Sequence, residues 1–272
     1  MRDKHLIVLD LDGTLLKEDN TISETNKIVL NKLLELGHNV MIATGRPYRS
    51  SRKYYDELGL KTPIVNFNGA FIHHPHDRSF GVFHTPLEIE VARDIVDACH
   101  SFRFHNIIAE VIDDLYIHYP DEKLVKIFSA GNPKIKTGDL RQSLVDSPTS
   151  ILIHTDKTEI DALKNHLADA HANVIHQRSW QEPWHVIEIV RKGMNKALGV
   201  KKAAEYLSIP RKNIIAFGDE DNDLEMLEYA GTGVAMGNSI DELKNIADEV
   251  TLTNEEDGIA VYLNERFNLN LL

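Results

Sequence analysis

Leu6-Ile7-Val8-Leu9-Asp10-Leu11-Asp12-Gly13-Thr14-Leu15 is the stretch on which the fold of this chain turns. Four apolar residues in a row read as a strand buried on both faces, as in a parallel sheet. The strand ends in two carboxylates one residue apart, and Gly13 then lets the backbone turn. Like charges held so close repel, so the site has to supply a proton, a cation or a basic side chain. A divalent metal does this best, and ligands that are all oxygen favour Mg²⁺. The first carboxylate is then free to attack phosphorus while the second handles the proton. A bare D-x-D is more simply a strand ending in acidic turn residues. The chemical reading gains its weight from what the rest of the chain supplies.

Working outward, the first third alternates short apolar runs with helical periodicity. Leu6–Leu9, Val40–Ala43 and Ile64–Phe67 read as buried strands. Helices are expected from Ser23 to Leu36, opened by a Ser23 N-cap, and from Tyr48 to Leu58, opened by Pro47. Gly37 and Gly59 stand where helices stop. The last third repeats this grammar, with strands at Asn213–Phe217 and Thr232–Ala235 and helices at Met194–Leu207, Asp221–Tyr229 and Ser239–Ala247. Strands alternating with helices imply a Rossmann-like α/β core with a parallel sheet.

The middle has a different order. Helix Leu87–Ala98, strands Ile107–Val111 and Leu115–Tyr119, and helix Glu122–Phe128 lead into a polar, Gly/Pro-punctuated stretch, Ser129–Thr149. Strand Ile151–His154, helix Lys157–Ala168 and strands Asn173–His176 and His185–Ile189 follow. Hairpin-like strand pairs point to an α+β domain inserted into the α/β one. The expected division is a discontinuous core, 1–84 and 190–272, and an inserted cap, 85–189, with hinges near His84–Pro86 and Val190–Gly193.

In an open parallel sheet, ligands bind beyond the carboxyl ends of the strands. Asp10 and Asp12 follow the first strand, Thr44-Gly45-Arg46 the second, Asn68-Gly69 the third, and Asp219 to Asp223 follow Asn213–Phe217. Thr44 and Gly45, ahead of a helix, make either a natural phosphate cradle of hydroxyl and backbone N–H groups or simply a turn before a helix opened by Pro47. Lys196, near the start of a helix, can neutralise a phosphoryl group and a nucleophilic carboxylate, and Lys192 is a rival for that role. Asp219, Asp221 and Asp223 have D-x-D-x-D spacing, but Leu224 and Ala230 stand where an EF-hand needs glycine and a bidentate acid. The preferred reading is a metal site shared with the first aspartates. Gly231, Gly233 and Gly237 bracket a strand and do not fit a dinucleotide loop.

Composition narrows the partners. The chain has 272 residues and a formal net charge of −12, which leaves no basic stripe for nucleic acid. Cys99 is the single cysteine, so an intramolecular disulfide is out, and its amphipathic setting reads as core. No apolar run is long enough for a signal peptide or a membrane span, so a cytoplasmic protein with a small-molecule partner is expected. His73, His74 and His76 surround Pro75 and read as turn histidines before a zinc or nickel site. Trp180 and Trp184 line a pocket or plug the inserted domain's core, and Arg178 is a candidate substrate contact.

Taken together, these motifs resemble the haloacid dehalogenase-like (HAD) phosphohydrolases, and within them the Cof-type members with a large α/β cap. DLDGTL at Asp10–Leu15, Thr44 in ATGR, Lys196 in KGMNK and GDEDND at Gly218–Asp223 are similar to the family's four motifs in order and spacing. NGA at Asn68–Ala70, GVAMGN at Gly233–Asn238 and TNEEDGIA at Thr253–Ala260 add to the likeness, which covers nearly the whole chain. The chain departs from the family pattern in carrying Lys192 where a proline is common.

The resemblance implies that Asp10 forms an aspartyl-phosphate and that Asp12 protonates the leaving oxygen and later activates water. It implies that Asp10, the Asp12 carbonyl and Asp219 hold Mg²⁺, with Asp223 in support. Thr44, Gly45, Lys196 and Asn222 would serve the phosphoryl group, while Arg46 and Asn68 would face the substrate. The expected substrate is a small phosphorylated metabolite: a sugar phosphate, a flavin-pathway phosphate or pyridoxal phosphate. A sugar phosphomutase and a non-enzymatic metabolite- or metal-binding regulator are the alternatives.

Overall fold

The computed structural model describes residues 4–180 and 185–272, with the backbone alone for Trp180. Its chain divides into two compact units, one of residues 1–46, 51–83 and 195–272, the other of 47–50 and 84–194.

In the first unit a five-stranded sheet runs in the order Glu249–Val250, Thr232–Ala235, Ile214–Gly218, Leu6–Leu9, Asn39–Ile42. Every neighbouring pair is parallel. Leu6–Leu9 lies second from one edge, and all four of its side chains are fully buried, which is why that strand reads as an unbroken apolar run. Leu6, Val8, Met41, Ile214 and Ala216 pack on one face with Val200, Ala203 and Ala204 of helix Lys196–Leu207 and Met226 of helix Leu224–Tyr229. Helices Glu24–Glu35 and Gly258–Phe267 pack on each other, and the Tyr262 ring meets Phe217 edge-on at 5.4 Å between centroids. A parallel bridge from Ala43 to Val65 joins the sheet to the strand Ile64–Asn66. That strand heads a three-stranded sheet with Phe71–His73 and Val82–His84.

The second unit holds a six-stranded sheet in the order Ile175–Trp180, Val186–Arg191, Ser150–Thr155, Phe104–Val111, Asp114–Ile117, Ile135–Thr137. It is antiparallel except for its last pair. Alternation sorts its side chains. Ile107, Ala109, Ile151, Ile153, Ile187 and Ile189 pack with residues of helices Ile89–Cys99 and Ile160–His171. Ile108, Leu152 and Val186 belong to a second cluster with Leu124. Cys99 sits in the first cluster, and burial pushes its thiol up to about 12, as befits a packing residue.

The expected helices and strands form within a few residues of their predicted ends, and Ser23 caps its helix by accepting from the Asn26 N–H at 3.0 Å. Three features differ. The polar stretch Ser129–Thr149 contains a strand, Ile135–Thr137, and a one-turn helix, Leu140–Ser143. Asp139 caps that turn, and the burial of Leu140 and Leu144 holds it down. Asp221–Tyr229 opens as a 3₁₀ turn, Asp221–Asp223, before the α-helix begins at Leu224. The strands Phe71–His73, Val82–His84 and Glu249–Val250 and the helix Gly258–Phe267 lie outside the sequence reading.

Candidate active site

Parallel strands place their carboxyl ends on one edge of the sheet, and the polar residues singled out in the sequence gather there. Asp10 ends the first strand, and its backbone N–H donates to the Phe217 carbonyl of the next. Gly13 follows with a φ of 71°, and a Cβ built on it would lie 2.1 Å from Asp219 Oδ2. Glycine therefore serves twice at that position, for the turn and for the close approach of Asp219.

Lys196 is the pivot. Its side chain is wholly buried, and Nζ donates to Asp10 Oδ1 and to Asp223 Oδ1, each at 2.7 Å. Burial works against its charge, but the carboxylates of Asp10 and Asp223 outweigh burial and hold the ammonium above its ordinary value. Asn195 caps this helix through the Leu198 N–H, which fixes where Lys196 enters. The Asn68–Gly69 turn lies against the same helix start: Gly69 has a φ of 95°, and a Cβ there would stand 2.2 Å from the Asn195 carbonyl oxygen. Lys192, in the other unit, donates from Nζ to the Ala172 carbonyl at 2.7 Å.

Asp223 is fully buried, and its Oδ2 accepts from the N–H groups of Asp219 and Glu220 at 3.0 and 3.2 Å. Asp219 Oδ1 accepts from the Thr14 hydroxyl at 2.6 Å. Carboxylate oxygens of Asp10, Asp219 and Asp223 all lie within 4.8 Å of one another. Desolvation raises Asp10 well above the usual carboxylate range; Lys196 pulls it down, while Asp223 and Asp12 push it up. Asp219 is raised by burial first and then by Asp10 and Asp223. Three buried carboxylates against one ammonium leave the cluster two charges negative when all are ionised. A hard divalent cation satisfies that deficit with oxygen ligands, so the donor set fits a metal.

Thr44 is buried, its Oγ1 accepts from the Arg46 N–H at 3.1 Å, and its carbonyl accepts from the Asn68 N–H at 3.2 Å. A Cβ on Gly45 would come within 3.2 Å of the Asn68 amide, and Asn222 Nδ2 donates to Asn68 Oδ1 at 3.0 Å. Thr44, Gly45, Asn68 and Asn222 are thus brought together, as are Asp10, Lys196, Asp219 and Asp223. The side chain of Asp12 is 59% exposed and is held by Arg46, whose Nε donates to Asp12 Oδ2 at 2.7 Å and whose Nη2 donates to Asp12 Oδ1.

The hydroxyl of Thr14, two residues past Asp12 in the sequence, finds its task only in the structure, as the donor to Asp219. Asn238, at the end of the GVAMGN stretch, donates from Nδ2 to the Gly13 carbonyl at 2.8 Å and braces the turn. Ser239 donates to the Gly218 carbonyl at 3.2 Å. His74 Nδ1 accepts from the His76 and Asp77 N–H groups, so that ring nitrogen closes the turn. Arg178 lies on strand Ile175–Trp180 opposite Glu188. Trp184 and the Trp180 side chain lie outside the described residues.

The chain belongs to the haloacid dehalogenase-like hydrolase family, which matches residues 7–263, and it is a phosphatase with a mixed α/β core and a separate sheet-rich cap domain. It is 55% identical over 97% of its length, and 98% of the relative's, to 5-amino-6-(5-phospho-D-ribitylamino)uracil phosphatase YitU of Bacillus subtilis. Phosphatase YwpJ of the same organism is 31% identical over 94% of this chain and 97% of its own. Among solved structures, a haloacid dehalogenase-like hydrolase from Bacteroides thetaiotaomicron superposes with a TM-score of 0.84 at 28% identity, covering 97% of this chain and all of the other. These relatives weigh against the purely regulatory alternative. No helix among the described residues is long and apolar enough to cross a membrane.

Proposed function

We propose that the protein hydrolyses 5-amino-6-(5-phospho-D-ribitylamino)uracil to its alcohol and inorganic phosphate, with Mg²⁺ as cofactor. The 55% identity to a phosphatase of that substrate, spread over nearly both whole chains, carries this reading. It favours the flavin-pathway member of the expected substrates over sugar phosphates and pyridoxal phosphate.

In this reading Asp10 is the nucleophile. One of its oxygens bonds to phosphorus as the bond from phosphorus to the ribityl oxygen breaks, and Asp12 gives that oxygen its proton. A water then attacks the aspartyl-phosphate, Asp12 takes the water's proton, and phosphate leaves. Lys196 meets the phosphoryl charge and keeps Asp10 aligned, as its bonds to Asp10 and Asp223 support. Thr44, Gly45 and Asn222 cradle the phosphoryl oxygens, and Asn68 orders the cradle. Asp10, Asp219 and the Asp12 carbonyl would hold Mg²⁺, with Asp223 behind them. Bound there, the ion would supply positive charge to the phosphoryl oxygens. Positioning and charge neutralisation are most of what phosphoryl transfer needs. Segment 85–189 is read as the cap that selects the substrate, with 1–84 and 190–272 as core; the chain's division near residues 84 and 194 supports this.

Phosphate release from this substrate, set against ribose 5-phosphate and pyridoxal phosphate, tests the assignment. A kcat/KM at least tenfold higher for the ribityl compound is expected. A clear preference for either competitor would move the substrate elsewhere in the family.

A further inference from the structure

A side chain that must give and then take a proton needs a fixed direction, yet Asp12 stands half in water, where a lone carboxylate rotates freely. Arg46 removes that freedom. Its Nε and Nη2 engage the two oxygens of Asp12 as a fork, a geometry that fixes the plane of the carboxylate as well as its place. Each oxygen retains a further lone pair for a proton.

Arg46 is itself held at both ends. Its backbone N–H donates to Thr44 Oγ1, and its carbonyl accepts from Asn66 Nδ2 at 2.9 Å. Its Nη2 also donates to Asn20 Oδ1 at 2.8 Å. Asn20, in a left-handed conformation with a φ of 60°, is tied through its carbonyl to the Tyr54 hydroxyl at 3.0 Å. Tyr54 is buried, and its ring centroid lies 5.6 Å from the Arg46 guanidinium carbon. This chain of contacts runs from a buried tyrosine to an exposed carboxylate without passing through Asp10 or Lys196.

We propose that Arg46, braced by Asn20 and Tyr54, is the positioning residue for the acid/base Asp12, and that it is not chiefly a substrate contact. In the first step the Asp12 proton passes to the leaving oxygen as the phosphorus bond to that oxygen breaks and the bond to Asp10 forms. A poor leaving group, such as a primary alcohol, needs that proton. A 4-nitrophenolate leaves without it. Loosening Asp12 therefore penalises the two ester types unequally, whereas losing a contact to the phosphoryl group penalises both alike.

The inference rests on the phosphatase reading with Asp12 as acid/base. Its test is kcat/KM for the ribityl phosphate and for 4-nitrophenyl phosphate in the Mg²⁺-loaded enzyme. Arg46→Ala is expected to lose about a hundredfold on the alkyl ester, the scale of a misplaced catalytic group, and under about fivefold on the aryl ester. Arg46→Lys, a point charge with no fork, should fall between. Tyr54→Phe and Asn20→Gly should show the same inequality at roughly three- to tenfold, and they keep the test decisive if Arg46→Ala fails to fold. Equal losses on both esters, carried by KM, would overturn the proposal and leave the phosphatase reading standing. Wild-type enzyme inert on both esters would overturn the two together.

Discussion

The two units bury polar side chains for different purposes. In the second unit, Asn106 is 1% exposed, and its amide closes on backbone alone: Nδ2 donates to the Tyr119 carbonyl, and Oδ1 accepts from the N–H groups of Ile107 and Tyr119. His118, also buried, accepts the Leu140 N–H on Nδ1 at 3.1 Å. In the first unit, Asp10, Asp219, Asp223 and Lys196 face one another and leave a charge deficit. Polar groups that satisfy backbone stabilise a fold, while charges that remain in deficit await a ligand. Asn106 and His118 thus tie down backbone in the antiparallel unit, while the carboxylate cluster at the edge of the parallel sheet keeps a charge that a ligand can answer.

The largest expected effect lies at the reacting cluster. If Asp10 is the nucleophile proposed above, Asp10→Asn should lower turnover by roughly a thousandfold or more. Because the substitution removes a buried like charge, the metal-free protein should melt no lower than wild type. A variant that keeps activity, or that unfolds, would erase the distinction between the units. Next in size, Leu163→Ala in the second unit's core should cost about 2–5 kcal/mol in denaturant unfolding of that unit. Asn106→Ala should cost about 1–3 kcal/mol by stranding backbone groups of Ile107 and Tyr119. Loss of activity without loss of stability at Asn106 would contradict its structural role.

Much of this was legible beforehand, for a physical reason. Strands such as Leu6–Leu9 are buried on both faces, so they read as plain apolar runs, and their ends name the site. Asp10, Asp219, Asp223 and Lys196 met as the topology demanded. What stayed hidden depends on side-chain direction: sequence does not say that Arg46 turns to Asp12, or that Tyr54 braces Asn20. The turn at Leu140–Ser143 is hidden for another reason: a single i, i+4 pair, Leu140 and Leu144, is too short a pattern to mark a helix in a polar stretch. The helix Gly258–Phe267 follows the polar run Thr253–Asp257, which hides its start in the sequence.

Effects of metal and of acid sharpen the contrast. Saturating Mg²⁺ should raise the unfolding free energy by about 3 kcal/mol at a hundred times its dissociation constant, and Asp219→Asn should abolish most of that gain. Calorimetry with and without chelator reads both. The smallest effect expected is in acid. Burial, helped by the charge of His74, pushes His73 down to about 4, so the folded chain resists protonation that the unfolded chain accepts from its ordinary 6.5. Stability from this group is present above pH 6.5 and is lost as pH falls from there toward 4. His73→Phe should flatten that part of the stability profile, measured by urea unfolding across the range.

Phosphate release from 5-amino-6-(5-phospho-D-ribitylamino)uracil, with Mg²⁺ and with chelator, in wild type and Asp10→Asn, tests the central claim most directly. The account predicts rapid release only in wild type with metal. Release that persists in the variant, or that ignores the chelator, would contradict it.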